Sequence, residues 1–131
     1  MGLFGKSKDE KIQELADKTI ELRELGRNEE AIGYANKLLE IDPDNSVALD
    51  NKGVALMQLG RNEEAIEYGD KLLEIDPDNT IALAIKGIAL MQLGRNEESI
   101  EYFDKALELN PDSVSALKYK GVALAYLDRH D

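Results

Sequence analysis

The sequence predicts an all-α fold, a solenoid of seven helices stacked as helix-turn-helix units. Three observations predict it. A block recurs every 34 residues: Leu25-Gly26-Arg27-Asn28-Glu29-Glu30 returns at Leu59–Glu64 and again at Leu93–Glu98. Inside each block the apolar residues are spaced by three and four, the period of one helical face. The breakers keep the same step, with Pro43, Pro77 and Pro111 closing successive units. Residues 46–79 and 80–113 share 23 of 34 positions, which makes the repeat unmistakable.

The elements follow in order. Ser7-Lys8-Asp9-Glu10 is a capping-box pattern that opens a helix over 8–25. Residues 28–41 form its partner. In the second unit Leu49, Gly53, Leu56 and Leu59 mark one face of a helix over 46–59, which Gly60 ends. Asn62 is a good N-cap, and Glu63 and Glu64 suit the positive end of the next helix, over 62–75. Ala65, Ile66, Gly69, Leu72 and Leu73 are its apolar stripe. Asp76-Pro77-Asp78-Asn79 breaks that helix and caps the next. The pattern repeats over 80–93 and 96–109, and a last helix is expected over 114–127. Asp128-Arg129-His130-Asp131 then stands in place of the glycine turn.

Composition excludes more than it identifies. The 131 residues contain no cysteine, no tryptophan and one histidine, so there is no thiolate site and no histidine-based metal site or triad. The net charge of -11 opposes nucleic-acid binding. It is a net -13 over residues 12–113 between two ends that each carry +1. The paired glutamates at the helix starts are explained by the repeat. Asp42, Asp44 and Asn45 lack the central glycine and closing glutamate of a calcium loop. No enzyme and no cofactor are expected. No apolar run approaches the length of a membrane span, so a cytoplasmic location is expected. Leu3 and Phe4 beside Lys6 and Lys8 form at most a weak anchor.

A 34-residue helix-turn-helix unit of this pattern resembles the tetratricopeptide repeat (TPR) family. The second unit offers Leu49, Gly53, Leu56, Ala65, Gly69, Leu72 and Pro77 at the pattern positions. The third offers Leu83, Gly87, Leu90, Ser99, Phe103, Ala106 and Pro111, and the first Leu15, Thr19, Leu22, Ala31, Ala35, Leu38 and Pro43. The resemblance implies a right-handed α-solenoid over 12–131 with units 12–45, 46–79, 80–113 and a partial unit or capping helix over 114–131. Residues 1–11 form a leader and the first helix start. The Lys-Gly pairs at 52, 86 and 120 are similar to those of prokaryotic members, archaeal ones included. One departure is informative. The large-then-small pair of the second helix survives as Phe103 with Ala106, but is inverted as Ala35 with Leu38 and Gly69 with Leu72. One large side chain is expected to fill what the other vacates, with Gly69 marking a close contact.

The resemblance further implies peptide binding in a concave groove lined by the first helix of each unit. Stepping by 34 gives the ladders Ile20, Val54, Ile88, Val122; Arg23, Met57, Met91, Ala125; Gln13, Val47, Ile81, Ser115; Asp17, Asn51, Ile85, Tyr119; and Glu24, Gln58, Gln92, Tyr126. The candidate site is therefore Val47, Asn51, Val54, Met57, Gln58, Ile81, Ile85, Ile88, Met91, Gln92, Tyr119, Val122 and Tyr126. Such a surface suits an apolar protein or peptide partner, and the acidic body would steer a basic one. Of the family's carboxylate clamp only Asn51 is kept, with Ala16, Ile20, Ile81 and Ile85 at the other positions, so a chaperone co-factor role of that type is not expected. The ladder Lys18, Lys52, Lys86 and Lys120 is expected to lay its stems on apolar surface and reach nearby acids.

The last helix carries Leu117, Leu124 and Leu127 on a face that a solenoid end should make polar. A homo-oligomer or self-assembling scaffold joined at that edge or through the groove is the rival reading. A segment of a longer array and a cap with its apolar face inward are further explanations of that edge. The high identity of units two and three also allows an engineered, consensus-like repeat without a native ligand. The divergent first unit and the inverted pair argue for natural drift instead.

Overall fold

A computed structural model describes residues 5–130, with side chains through 128; Leu3, Phe4 and the side chains of Arg129, His130 and Asp131 lie outside the described residues. Seven helices form and, among the described residues, no strand: α1 (Lys8–Glu24), α2 (Asn28–Ile41), α3 (Ser46–Gln58), α4 (Asn62–Ile75), α5 (Thr80–Gln92), α6 (Asn96–Leu109) and α7 (Val114–His130).

The boundaries have local causes. Ser7 Oγ accepts from the Glu10 amide at 3.1 Å, the expected cap of α1. Asn45 and Asn79 accept from the amides of Ala48 and Ala82, each at 3.0 Å, so the turn after each proline does cap the next helix. Gly26, Gly60 and Gly94 hold φ of +78, +78 and +82°, which only glycine adopts without strain. Around Gly60, the Arg61 amide returns to the Leu56 carbonyl at 2.9 Å and the Gly60 amide to Met57 at 3.0 Å.

Two expectations are corrected. Asn62 is not a cap: α4 begins at Asn62, Arg61 holds the cap position without a side-chain cap bond, and the Oδ1 atoms of Asn28, Asn62 and Asn96 are buried without a donor. The Arg61 guanidinium instead forks onto Glu64 at 2.9 and 2.8 Å, as Arg27 does onto Glu30 and Arg95 onto Glu98. The last helix also runs past 127 to His130. Asp128 stands where the other turns use a positive-φ glycine, and a residue with a Cβ continues the helix instead.

The first helices touch one another in a row, α1 to α3, α3 to α5 and α5 to α7, whereas α2, α4 and α6 touch only their chain neighbours. A row in contact inside a row held apart is a curved stack with α1, α3, α5 and α7 on the concave side. The core is strung along this stack in three clusters, centred on Leu38, on Leu56 with Leu72, and on Leu83. That is the neighbour-to-neighbour core of a solenoid.

The inverted pair has a geometric explanation. A Cβ on Gly69 would lie 2.7 Å from Cγ of Lys86, so this glycine makes room for a lysine stem from the next unit. The Lys86 ammonium then reaches Asp70 at 2.5 Å and the Tyr102 hydroxyl at 2.7 Å. Burial acts to lower the Lys86 pKa, but the bonds to Asp70 and Tyr102 outweigh it and raise it. Lys120 reaches Asp104 at 2.6 Å, as the ladder predicts, whereas Lys52 reaches the neutral amide oxygen of Asn36 at 2.6 Å instead of an acid. In unit three Phe103 takes the place of Gly69, and Lys120 is more exposed than Lys86, 34% against 13%. The exchange of Leu72 for Ala106 is only partly compensated, since a hollow of about 230 Å³ remains beside Ala106 and Ala116.

Candidate functional site

The inner row builds a cleft of about 420 Å³ between α1, α3 and α5, lined by Ile20, Arg23, Val47, Asp50, Asn51, Val54 and Ile81. Ile81 is 45% exposed at the start of α5, and Val47 and Val54 are half-buried beside it. Met57 and Met91 are half-buried one turn further along, and Gln58 and Gln92 are exposed. A larger open depression, about 670 Å³, lies against α1 and is lined mainly by charged residues including Lys6, Glu10, Glu14, Asp17 and Glu21. Its lining is that of a solvated surface.

Two of the thirteen candidate groove residues are core. Ile85 is 1% exposed because its Cδ1 lies where a Cβ on Gly53 would stand, 2.9 Å from that position. Ile88 is 7% exposed on α5, the helix flanked by both α3 and α7. Neither offers surface to a ligand. The counterpart of Ile85 in unit four, Tyr119, cannot follow it inward. Phe103 already occupies the space over Gly87, and Tyr119 stacks on that ring with centroids 6.1 Å apart. Asn51 is also buried: its Nδ2 donates to the Val47 carbonyl at 2.8 Å, and its Oδ1 accepts from Arg23 Nε. Val122 is half-buried and Tyr126 is 40% exposed, both on α7, away from the cleft.

Asp50 is the cleft residue that the five ladders omit. Its own ladder is Ala16, Asp50, Ala84 and Lys118, and the signal was a charge where units one and three use alanine. One carboxylate oxygen, Oδ1, is shut off from solvent and meets no donor. Burial pushes the Asp50 carboxyl above the usual range, and a hydrogen bond from the Asn79 side chain opposes the shift. A raised carboxyl pKa means that the ionised group costs stability above that pKa and that the cost vanishes as the pH falls through the ordinary aspartate range. Among the described residues Asp50 has no ion pair, and Arg23, the cation in the cleft, is bonded to Asn51.

At the other end, α7 exposes Leu117 at 53% and Leu124 at 45%, with Leu127 half-buried. The counterparts of Leu117 and Leu124 in units two and three, Leu49, Leu56, Leu83 and Leu90, are all at 3% or less, covered by α4 and α6, whereas those of Leu127, Leu59 and Leu93, are exposed. Among the described residues no group of three histidine, aspartate or glutamate side chains is placed to hold a metal, and no helix is long and apolar enough to cross a membrane.

Comparison with known proteins agrees with this architecture. Family models described as tetratricopeptide repeat match residues 56–123 and 20–80. No curated protein sequence matches. Among solved structures, the first TPR domain of Spaghetti (RPAP3) bound to an HSP90 peptide is similar at TM-score 0.84 and 24% identity, covering 91% of this chain and 94% of that one. The second TPR domain of human RPAP3, in complex with an HSP70 peptide, is similar at 0.80 and 21%, covering 89% and 98%. A mutant O-GlcNAc transferase of Thermobaculum terrenum is similar at 0.84 and 27%, covering 92% of this chain and 23% of that one.

Proposed function

The chain belongs to the tetratricopeptide repeat family, and on that footing we propose that it is a protein-interaction module that binds an apolar peptide or helix of a partner in its concave cleft. The cleft carries the reading: an apolar wall of Ile20, Val47, Val54 and Ile81 opens to solvent on the inner row, where Ile81 keeps 45% of its surface exposed. A preformed wall on packed helices confines the ordering cost of binding to the ligand. The RPAP3 domains hold chaperone peptides, but here Ala16, Ile20, Ile81 and Ile85 replace clamp residues and Asn51 is engaged by Arg23. A carboxylate tail is therefore not the expected ligand. Selection of a displayed 12-residue peptide library against the full chain, followed by amide shift mapping, tests the reading. Perturbations are expected around Val47, Val54, Met57, Ile81 and Met91. A footprint on α2, α4 and α6 would overturn it.

A second reading, self-association through α7, is favoured by Leu117 and Leu124, which stay exposed where every counterpart is covered. The occupant it requires is the same face of a second copy. Leu117 and Leu124 flank Gly121, and nothing lies within 4 Å of a Cβ at Gly121. An antiparallel copy therefore sets Leu117 against Leu124 across two facing glycines, a self-complementary contact. Light scattering is expected to show a dimer at high micromolar concentration that Leu117→Glu returns to monomer. A wild-type monomer at that concentration would sink this reading.

A further inference from the structure

We propose that the cleft selects a ligand segment carrying one lysine or arginine among apolar residues, and that Asp50 is the group that receives it. This rests on the cleft being the binding face, and it names what the cleft prefers. Asp50 stands in a wall otherwise built from Ile20, Val47, Val54 and Ile81. The unit does not need a charge there, because alanine holds the same position at Ala16 and Ala84. Asp50 is half-buried in the cleft lining, its Oδ1 lacks any donor, and the side chain that acts on its carboxylate, Asn79, is a neutral amide. Arg23, which shares the cleft, is bonded to Asn51 and leaves the Asp50 charge unpaired. A half-desolvated carboxylate in an apolar wall binds a cation more strongly than the same group in water, because the low local dielectric strengthens the pair. A cationic side chain flanked by apolar residues satisfies both features of the site together. The body of the chain, net -13 over residues 12–113, adds long-range attraction for the same ligand. Raised by burial, the Asp50 carboxyl is also a site the fold carries at some expense to its own stability.

The test uses the full chain and a displayed library of 12-residue peptides of Ile, Leu, Val and Ala with one randomised central position. Wild type is expected to enrich Lys and Arg at that position. Enriched Lys peptides should bind Asp50→Asn and Asp50→Ala about tenfold more weakly, the size of one charge-assisted hydrogen bond. Peptides with norleucine at the centre should bind all three proteins alike. Both variants should melt at or above the wild-type temperature, so weaker binding is not unfolding. Apolar peptides captured in the cleft with no basic preference would overturn the role of Asp50 and leave the cleft as the binding face. Enrichment of Glu or Asp would overturn it as well. Failure to retain any peptide would overturn both.

Discussion

Phe103→Ala is expected to cost about 3–5 kcal/mol of stability, the range for removing a fully buried aromatic ring. For a chain of this size that corresponds to a melting temperature lower by roughly 10–20 °C. Phe103 is 2% exposed and fills the space over Gly87, where a Cβ would stand only 2.6 Å from its Cε1 atom. It also supports Tyr119 of α7 through the stacked pair. Loss of the ring therefore opens α6 from α5 and removes a contact that holds the last helix. The hollow of about 230 Å³ beside Ala106 already borders this site, so the cavity enlarges instead of closing. Because a solenoid is held by neighbour contacts, hydrogen exchange should rise first in α6 and α7 and least in α1 and α2. Thermal melts and exchange of the variant check this. A shift below about 3 °C would mean that Lys120 folds its stem into the space, as Lys86 does beside Gly69.

The path of the backbone is legible in the sequence because each boundary depends on short-range chemistry. Gly60 takes a positive φ, Asn79 caps α5, and Pro77 prevents continuation; each acts within a few residues of itself. The helical period then assigns the inner and outer rows. Side-chain placement is less legible because it depends on the size of neighbours from other units. One ladder position holds Asn51, Ile85 and Tyr119, and the three have different fates. Asn51 bonds to Arg23, Ile85 enters the core over Gly53, and Tyr119 is held out by Phe103. Stepping by 34 finds the position, but whether the side chain meets solvent is set by whether the partner position is Gly69 or Phe103. Asp50 is hidden for the opposite reason: its ladder alternates alanine with a charged residue, Ala16, Asp50, Ala84 and Lys118, and carries no periodic apolar signal. The Asn62 error has a similar origin, since the residue suits a cap but the Gly60 turn delivers Arg61 to the cap position.

Ile81→Ser is expected to weaken peptide binding at least about tenfold while leaving the fold intact. Ile81 has the largest exposed fraction among the apolar cleft residues, and burying an isoleucine side chain under a ligand contributes about 1.5–3 kcal/mol, or roughly 10- to 100-fold in affinity. The fold should tolerate the change for two reasons. Ser115 occupies the same position of the repeat in α7, so the backbone there accepts serine. The site is also in the first turn of α5, where a small polar residue does not interrupt a helical stripe. Ile75→Ser is the matched control: Ile75 is 52% exposed at the end of α4, a helix of the outer row. Titration of peptides selected on the wild-type chain should give a large loss for Ile81→Ser and none for Ile75→Ser, with melting temperatures close to wild type in both. Equal losses would mean that binding follows exposed apolar area in general. A loss confined to Ile75→Ser would move the binding face to the convex side, where α2, α4 and α6 carry more acids than the inner helices do. The cleft reading requires the first pattern, because only Ile81 shares a wall with Val47, Val54 and Asp50.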